Sequence, residues 1–306
     1  MTVALFTHSA CLRHEMGEGH PECPDRLRVV LRALEHPDFA ALLREEAPVA
    51  SREDLLRAHT PAYVDHILGL NPGPDELIAL DGDTLVGPGS IEAVLRAAGG
   101  AVAAVGAVLD GWARAAFVAV RPPGHHAEAA RSMGFCLFSN AAIAALVARV
   151  RVGRVAVVDF DVHHGNGTAA ILAGREGMFY ASSHQFPCYP GTGANPALRP
   201  GGIDVPLRPG TGSAAFRAAY SDVLLPALDR FAPELLIISA GFDAHKADPL
   251  AQLRLETSDF AWVTAELMRI ADRHAAGRVV SILEGGYDLP ALAASTAAHV
   301  RTLLRL

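Results

Sequence analysis

Runs of apolar, β-branched residues that stop abruptly at polar clusters recur along the chain, and each predicts a buried strand presenting polar residues at its carboxyl end. Val3 to Thr7, Ala116 to Val120, Val155 to Phe160, Gly177 to Ser183, Leu235 to Ser239 and Val279 to Leu283 have this form. Between them the apolar period changes to that of a helix. Leu27, Val30, Leu31 and Leu34 follow a start near Asp25, and Ser51 with Asp54 opens a short helix as a capping box. Pro61 begins another helix carrying Tyr63, Val64, Ile67 and Leu68, with His59 and His66 as surface or packing residues. Ile91 to Leu109 reads as a buried Ala/Gly-rich helix, and Asn140 to Val150 and Asn166 to Leu172 as further helices. Arg26 is either solvated or an inward-pointing cation, and periodicity favours the solvated position. Strands alternating with helices, without repeats, predict one α/β domain over residues 1–306 with a mainly parallel sheet.

The segments after these strands are rich in Gly, Pro, His and Asp. RPPGHH, from Arg121, holds His125 and His126 on a turn that its prolines and glycine keep out of regular structure. DFDVHHGN, from Asp159, carries Asp161 and His163 two positions apart, on one face of extended chain where both can reach one ion. Taken alone, DFDVHHGN fits a helix-capping aspartate beside packed histidines equally well. Asp243 lies three or four residues past the strand ending at Ser239, and Tyr287 follows paired glycines after the strand ending at Leu283. Asn71 to Ser90 reads as one long loop whose Asp81 and Asp83 are either turn formers or acceptors for a substrate amine or backbone.

Composition narrows the functions available. A chain of 306 residues with 51% apolar content can bury a large core. Its net charge of −7 and the absence of clustered Lys/Arg argue against a nucleic-acid surface. The four cysteines, Cys11, Cys23, Cys136 and Cys188, have no CxxC spacing, which fits a reducing, cytoplasmic compartment and suggests neither a disulfide framework nor a cysteine zinc site. The opening residues lack a signal peptide's basic start, and no apolar stretch reads as a continuous membrane span. Oligomeric state stays open, and a homo-oligomer is compatible with the sequence.

Two carboxylates and one imidazole, Asp161, Asp243 and His163, make a three-ligand set that leaves room for water and substrate, as in catalytic metal sites. Paired histidines beside such a site can take a proton from water and return it to a leaving amine. Asp159 and Asn166 are candidate partners that would separate the basicities of His125 and His126. Tyr287 could donate its hydroxyl to an oxyanion, and Phe135 and Tyr189, on glycine-flanked loops, could line an apolar channel.

RPPGHH, GFC, DFDVHHGNGT, YPGTG, SAGFDAHKADP and LEGGYDL, in this order, resemble the histone deacetylase family in its class II and bacterial acetylamine amidohydrolase branch. The motifs run from about Arg121 to Asp288, and HPECPDRL and DGDT extend the resemblance toward the amino terminus. It implies an arginase-like, three-layer α/β fold around an about eight-stranded parallel sheet, and zinc-dependent removal of acetyl groups from N-acetylated amines such as acetyl-lysine. It implies zinc ligation by Asp161, His163 and Asp243, with His125 and His126 as the acid/base pair and Tyr287 as the oxyanion donor. Phe135 and Tyr189 become channel walls, with Gly134, Gly285, Leu250 and Asp83 also along the channel. A structural potassium near Asp159, Asp161, His163 and Ser182, held mainly by backbone oxygens, is implied as well.

Two positions depart from parts of the family. Asn166 stands where class I members carry aspartate, which assigns His126 the less carboxylate-supported role. Leu250 stands where an acetylpolyamine deacetylase has a gatekeeper glutamate, so a cationic chain lacks that anionic partner. Iron(II) remains an alternative to zinc, because an Asp/His site with open positions selects weakly by affinity. The rival readings are a binuclear ureohydrolase, which needs further aspartates where Gly165 and His245 stand, and a non-catalytic binding module that keeps the pocket.

Overall fold

The computed structural model describes residues 2–195, 198–199 and 201–306. Its strands are β1 (Val3–Thr7), β2 (Leu42–Glu46), β3 (Ile78–Ala79), β4 (Leu85–Val86), β5 (Ala115–Val118), β6 (Val155–Asp159), β7 (Met178–Gln185), β8 (Leu198–Arg199), β9 (Gly202–Leu207), β10 (Leu235–Ala240) and β11 (Val279–Leu283). Its α-helices are α1 (Pro24–Ala33), α2 (Arg52–Ala58), α3 (Pro61–Leu68), α4 (Ser90–Leu109), α5 (Asn140–Arg149), α6 (Asn166–Leu172), α7 (Ser213–Ala219), α8 (Leu225–Phe231), α9 (Thr257–His274) and α10 (Leu289–Leu304).

Eight strands run parallel in the order β2-β1-β5-β11-β10-β6-β7-β9, and the two-residue β8 joins the β9 edge antiparallel. Helices flank this central parallel sheet, the strand number and layering that the resemblance implies. The apolar runs are continuous rather than alternating because the central strands are covered on both faces: every residue of β5, β6, β10 and β11 is buried. Register carries the fold toward its chemistry. Asp159 pairs with Ser239 on one side and Ser182 on the other, so β10 and β6 end within a residue of each other while β7 runs on three residues to Gln185.

Several features departed from the sequence pattern. The 71–90 segment is not wholly irregular, since β3 and β4 form a small antiparallel pair around Asp81 and Asp83. β2 was unread because LLREE is mostly exposed at the sheet edge and has little apolar period. Helix α4 is, by length and hydropathy, long enough to cross a membrane. In this fold it packs on the sheet and on the segment after β2, so closely that a Cβ on Gly99 would sit 2.0 Å from the Pro48 carbonyl oxygen, and one on Gly100 2.9 Å from Ala47 and 3.2 Å from Val118 of β5. Finally, Arg26 is fully buried rather than solvated.

Several histidines are building material. His299 of α10 bonds Thr264 of α9 at 2.6 Å and Ser281 of β11 at 2.7 Å, and it lies among Phe117, Phe160 and Phe242. His59 accepts the Ser139 N–H through Nε2 and faces the Glu128 carbonyl through Nδ1. Burial pushes His59, His14 and His184 down to about 4 and His299 to about 3. The unfolded chain takes up protons at these rings below about pH 6.5 while the folded chain resists, so stability is full above 6.5 and falls toward pH 4. The urea midpoint is expected to drop between pH 6 and pH 4.5, where the four rings outweigh the raised carboxyls of Asp243 and Glu284. A flat midpoint over that range would show that these rings are not held neutral.

Candidate active site

The loops after β5, β6, β10 and β11 converge where neighbouring strands end, the place where open parallel sheets bind ligands. Three side chains meet at the floor. The His163 Nδ1 lies 3.2 Å from an Asp161 oxygen and 3.1 Å from an Asp243 oxygen. All three are buried, and their donor atoms lie within 4.8 Å of one another. Bonds of about 2.0–2.1 Å in a tetrahedral metal site put adjacent donors roughly 3.3 Å apart, so the spacing fits one divalent ion. The electrostatics fit as well: burial and the facing Asp161 charge push the Asp243 carboxyl up to about 7, a repulsion that a cation between the two would relieve. Among the described residues no second such group occurs.

Main-chain donors also hold both carboxylates. Asp243 accepts the Val162 N–H at 2.8 Å, and Asp161 accepts those of His163 at 2.9 Å and Gly285 at 2.8 Å. Gly285 therefore underlies the carboxylates and is absent from the channel wall, a correction to its expected place. A Cβ there would lie 2.2 Å from an Asp243 oxygen, so only glycine fits. Likewise a Cβ on Gly165 would lie 2.3 Å from Asp159, which leaves no room for the second-metal aspartate of a ureohydrolase.

His125 and His126 sit side by side, ring centroids 4.1 Å apart, yet face different partners. His125 bonds Asp159 through Nδ1 at 3.0 Å, and Asp159 also accepts the Tyr180 hydroxyl. Burial opposes charge on His125, but Asp161 and Asp159 outweigh it and push the ring up to about 10. His126 bonds Asn166 Oδ1 through Nδ1 at 2.8 Å. The Asn166 amide nitrogen faces Glu128 at 2.9 Å, which fixes the oxygen toward His126, so His126 carries its proton on Nδ1. Burial and the neighbouring His125 and His163 hold His126 well below the usual histidine range. Its Nε2 is left as an unprotonated base.

A cavity of about 210 Å³ leads to this floor, lined by Asp83, His126, Gly134, Phe135, His163, Tyr189, Leu250 and Tyr287. Tyr189 packs edge-on to His126 at 5.1 Å, and Phe135 edge-on to Tyr287 at 5.9 Å. Phe135 is held at φ +69° by the buried Thr84 hydroxyl, which accepts its N–H at 3.1 Å. Asp83 is exposed at the mouth, and partial burial and the adjacent Asp81 raise its carboxyl.

The Histone deacetylase domain matches residues 20–303 of the chain. The chain belongs to the histone deacetylase family. It is 42% identical to a histone deacetylase-like amidohydrolase of Pseudomonas aeruginosa, over 93% of this chain and 81% of that one. It is 34% identical to a probable deacetylase of Archaeoglobus fulgidus, over 94% and 82% of the two chains. The crystal structure of the HDA15 HD domain superposes with a TM-score of 0.93 at 34% identity, covering 99% of this chain and 88% of that one. Membership makes this protein a hydrolase acting on acetylated amides.

This deacetylase also uses residues that the sequence pattern did not single out. Glu284, fully buried, accepts the Gly124 N–H at 2.7 Å, the His125 N–H at 3.2 Å and the Ser239 hydroxyl at 3.1 Å, bracing the histidine turn against β10. Burial pushes its carboxyl up to about 7. Glu22 receives Arg26 at 2.9 Å and Arg121 at 2.6 Å, and Arg26 donates to the Gly286 carbonyl at 2.6 Å while lying over the Tyr287 ring at 4.7 Å. Such bracing is written in residues far apart in sequence, and the one local signal was a glutamate and an arginine four apart on α1's approach, where periodicity alone put the arginine outside.

Proposed function

We propose that the protein removes acetyl groups from N-acetylated amines of the acetyl-lysine type, using a divalent ion held by Asp161, His163 and Asp243. Zinc is the family's metal, with iron(II) as the alternative. Bound there, the ion would act as a Lewis acid on the acetyl carbonyl and bring the pKa of water toward about 7. The observation that carries the reading is the His126 ring, bonded to Asn166 through Nδ1 so that its Nε2 is the open nitrogen, beside this ligand set and at the end of an apolar channel.

The chain's own residues supply the rest. The alkyl chain lies between Phe135 and Tyr189, which exclude water from the scissile bond. His126 Nε2 takes a proton from water as its oxygen bonds to the carbonyl carbon. Tyr287, which burial keeps protonated well above its ordinary range, donates its hydroxyl to the oxyanion. His126 returns the proton to the amide nitrogen as the carbon–nitrogen bond breaks, releasing acetate and the amine. His125 stays charged between Asp159 and the ligand carboxylates and favours the developing negative charge. A cation on Asp161 would offset part of that carboxylate's pull and lower the basicity of His125. We also assign a structural potassium to the oxygens of Asp159, Asp161, His163 and Ser182, a reading supported by the pairing of Asp159 with Ser182 at the end of β6.

The test is a panel comprising an acetyl-lysine peptide, an acetylated diamine and a longer acyl-lysine, offered to the metal-loaded protein. Acetyl-lysine turnover with weak diamine turnover supports the reading, whereas diamine preference would reassign the substrate to polyamines. Leu250 lines the channel where it has no charge to offer a distal ammonium. Leu250→Glu is expected to raise kcat/KM for the diamine about 10-fold relative to the neutral peptide, on the order of the coupling for a close charge pair. An unchanged ratio would remove Leu250 from specificity.

A further inference from the structure

The turn that presents Tyr287 lies beyond the end of β11, and two side-chain carboxylates accept its main-chain donors. Gly285 donates to Asp161, while Tyr287 and Asp288 both donate to one oxygen of Asp248, at 2.7 and 3.3 Å. The other Asp248 oxygen accepts the Leu250 N–H at 3.0 Å. Asp248 is buried, and it belongs to neither the ligand set nor the cavity wall. Its carboxylate therefore ties a channel-wall loop to the turn carrying the tyrosine.

We propose that Asp248 is a positioning residue for the deacetylation reaction: its carboxylate holds the Tyr287 hydroxyl in register with the channel by anchoring the Tyr287 and Leu250 main chains together. The proposal rests on the reading of Tyr287 as oxyanion donor. The ring has other contacts, with Arg26 over one face and Phe135 edge-on to it, but neither is a hydrogen bond that fixes the Tyr287 main chain. The main-chain bond to Asp248 does, and so fixes where the hydroxyl stops. A displacement of about 1 Å at a reacting centre costs on the order of 10²-fold in rate, and Asp248 is placed to prevent it.

Asp248→Ser keeps a short hydroxyl for the local turn to Leu250 and removes the oxygen that reaches Tyr287. It is expected to lower kcat about 10- to 100-fold on an acetyl-lysine peptide, with KM within about threefold and metal content unchanged. Asp248→Asn, which retains one amide oxygen able to accept from Tyr287, is expected to recover part of the loss, and it carries the test if the serine variant does not fold. The deciding readout is a double-mutant cycle. In a Tyr287→Phe background, either Asp248 change should cost less than about twofold further, because the group it positions is gone. A full, additive loss in that background, or parental kcat in both Asp248 variants, overturns the proposal. Parental kcat in Tyr287→Phe alone would overturn the tyrosine assignment as well, a pattern distinct from failure of the Asp248 step.

Discussion

Asp243→Ala is expected to lose both metal and hydrolysis, with activity down by at least about 10³-fold and metal content well below stoichiometric after dialysis. Asp243 supplies one of three donors, and the remaining pair, Asp161 and His163, is a much weaker chelate. Lewis-acid stabilisation worth several kcal/mol disappears with the ion, and each ~1.4 kcal/mol is a factor of ten in rate. Stability separates this loss from unfolding. In the metal-free protein at pH 8, Asp243 and Asp161 are two buried carboxylates in repulsion, so deleting one removes a cost, set against an orphaned Val162 N–H. The metal-free variant is therefore expected to melt near the metal-free parent, whereas added zinc raises the parent's Tm and leaves the variant's unchanged. A variant with stoichiometric metal would show that the ligand set is wrong.

Tyr287→Phe is expected to reduce kcat by about 10²- to 10³-fold, the usual cost of removing one oxyanion donor, while metal content stays at the parental level. The ring's position under Arg26 and against Phe135 does not depend on the hydroxyl, so the variant should fold as the parent does. KM for a small acetylated amine should move little, because the hydroxyl acts on charge that develops only after attack. A loss confined to KM would make Tyr287 a binding group rather than an oxyanion donor.

How much of this was legible in the sequence depends on the range of the interaction. Val155 to Asp159 and Val279 to Leu283 were readable because a strand buried on both faces must be apolar throughout. The residues at their ends were readable only in combination, because DFDVHHGN alone fits a helix cap beside packed histidines equally well. Asp161, His163 and Asp243 do meet at one floor, and His125 and His126 do divide between Asp159 and Asn166. Helices α9 and α10 were not read, although α9 starts on a capping box formed by Glu256 and Asp259. Arg26 went to the wrong side of its helix because periodicity treats a charged residue as exposed, whereas Glu22 and the distant carbonyls of Glu284 and Gly286 satisfy it in the interior. Glu284 and Asp248 were missed for a related reason: each works through main-chain N–H groups that leave no side-chain signature.

The most direct test of the proposed chemistry is to strip the protein of metal and follow hydrolysis of an acetyl-lysine peptide as zinc or, anaerobically, iron(II) is added back. The account predicts that activity rises linearly and saturates at one ion per chain, and that Asp243→Ala stays inactive throughout. Saturation at two ions per chain, or full metal binding with no hydrolysis of any acetylated amine, would contradict it.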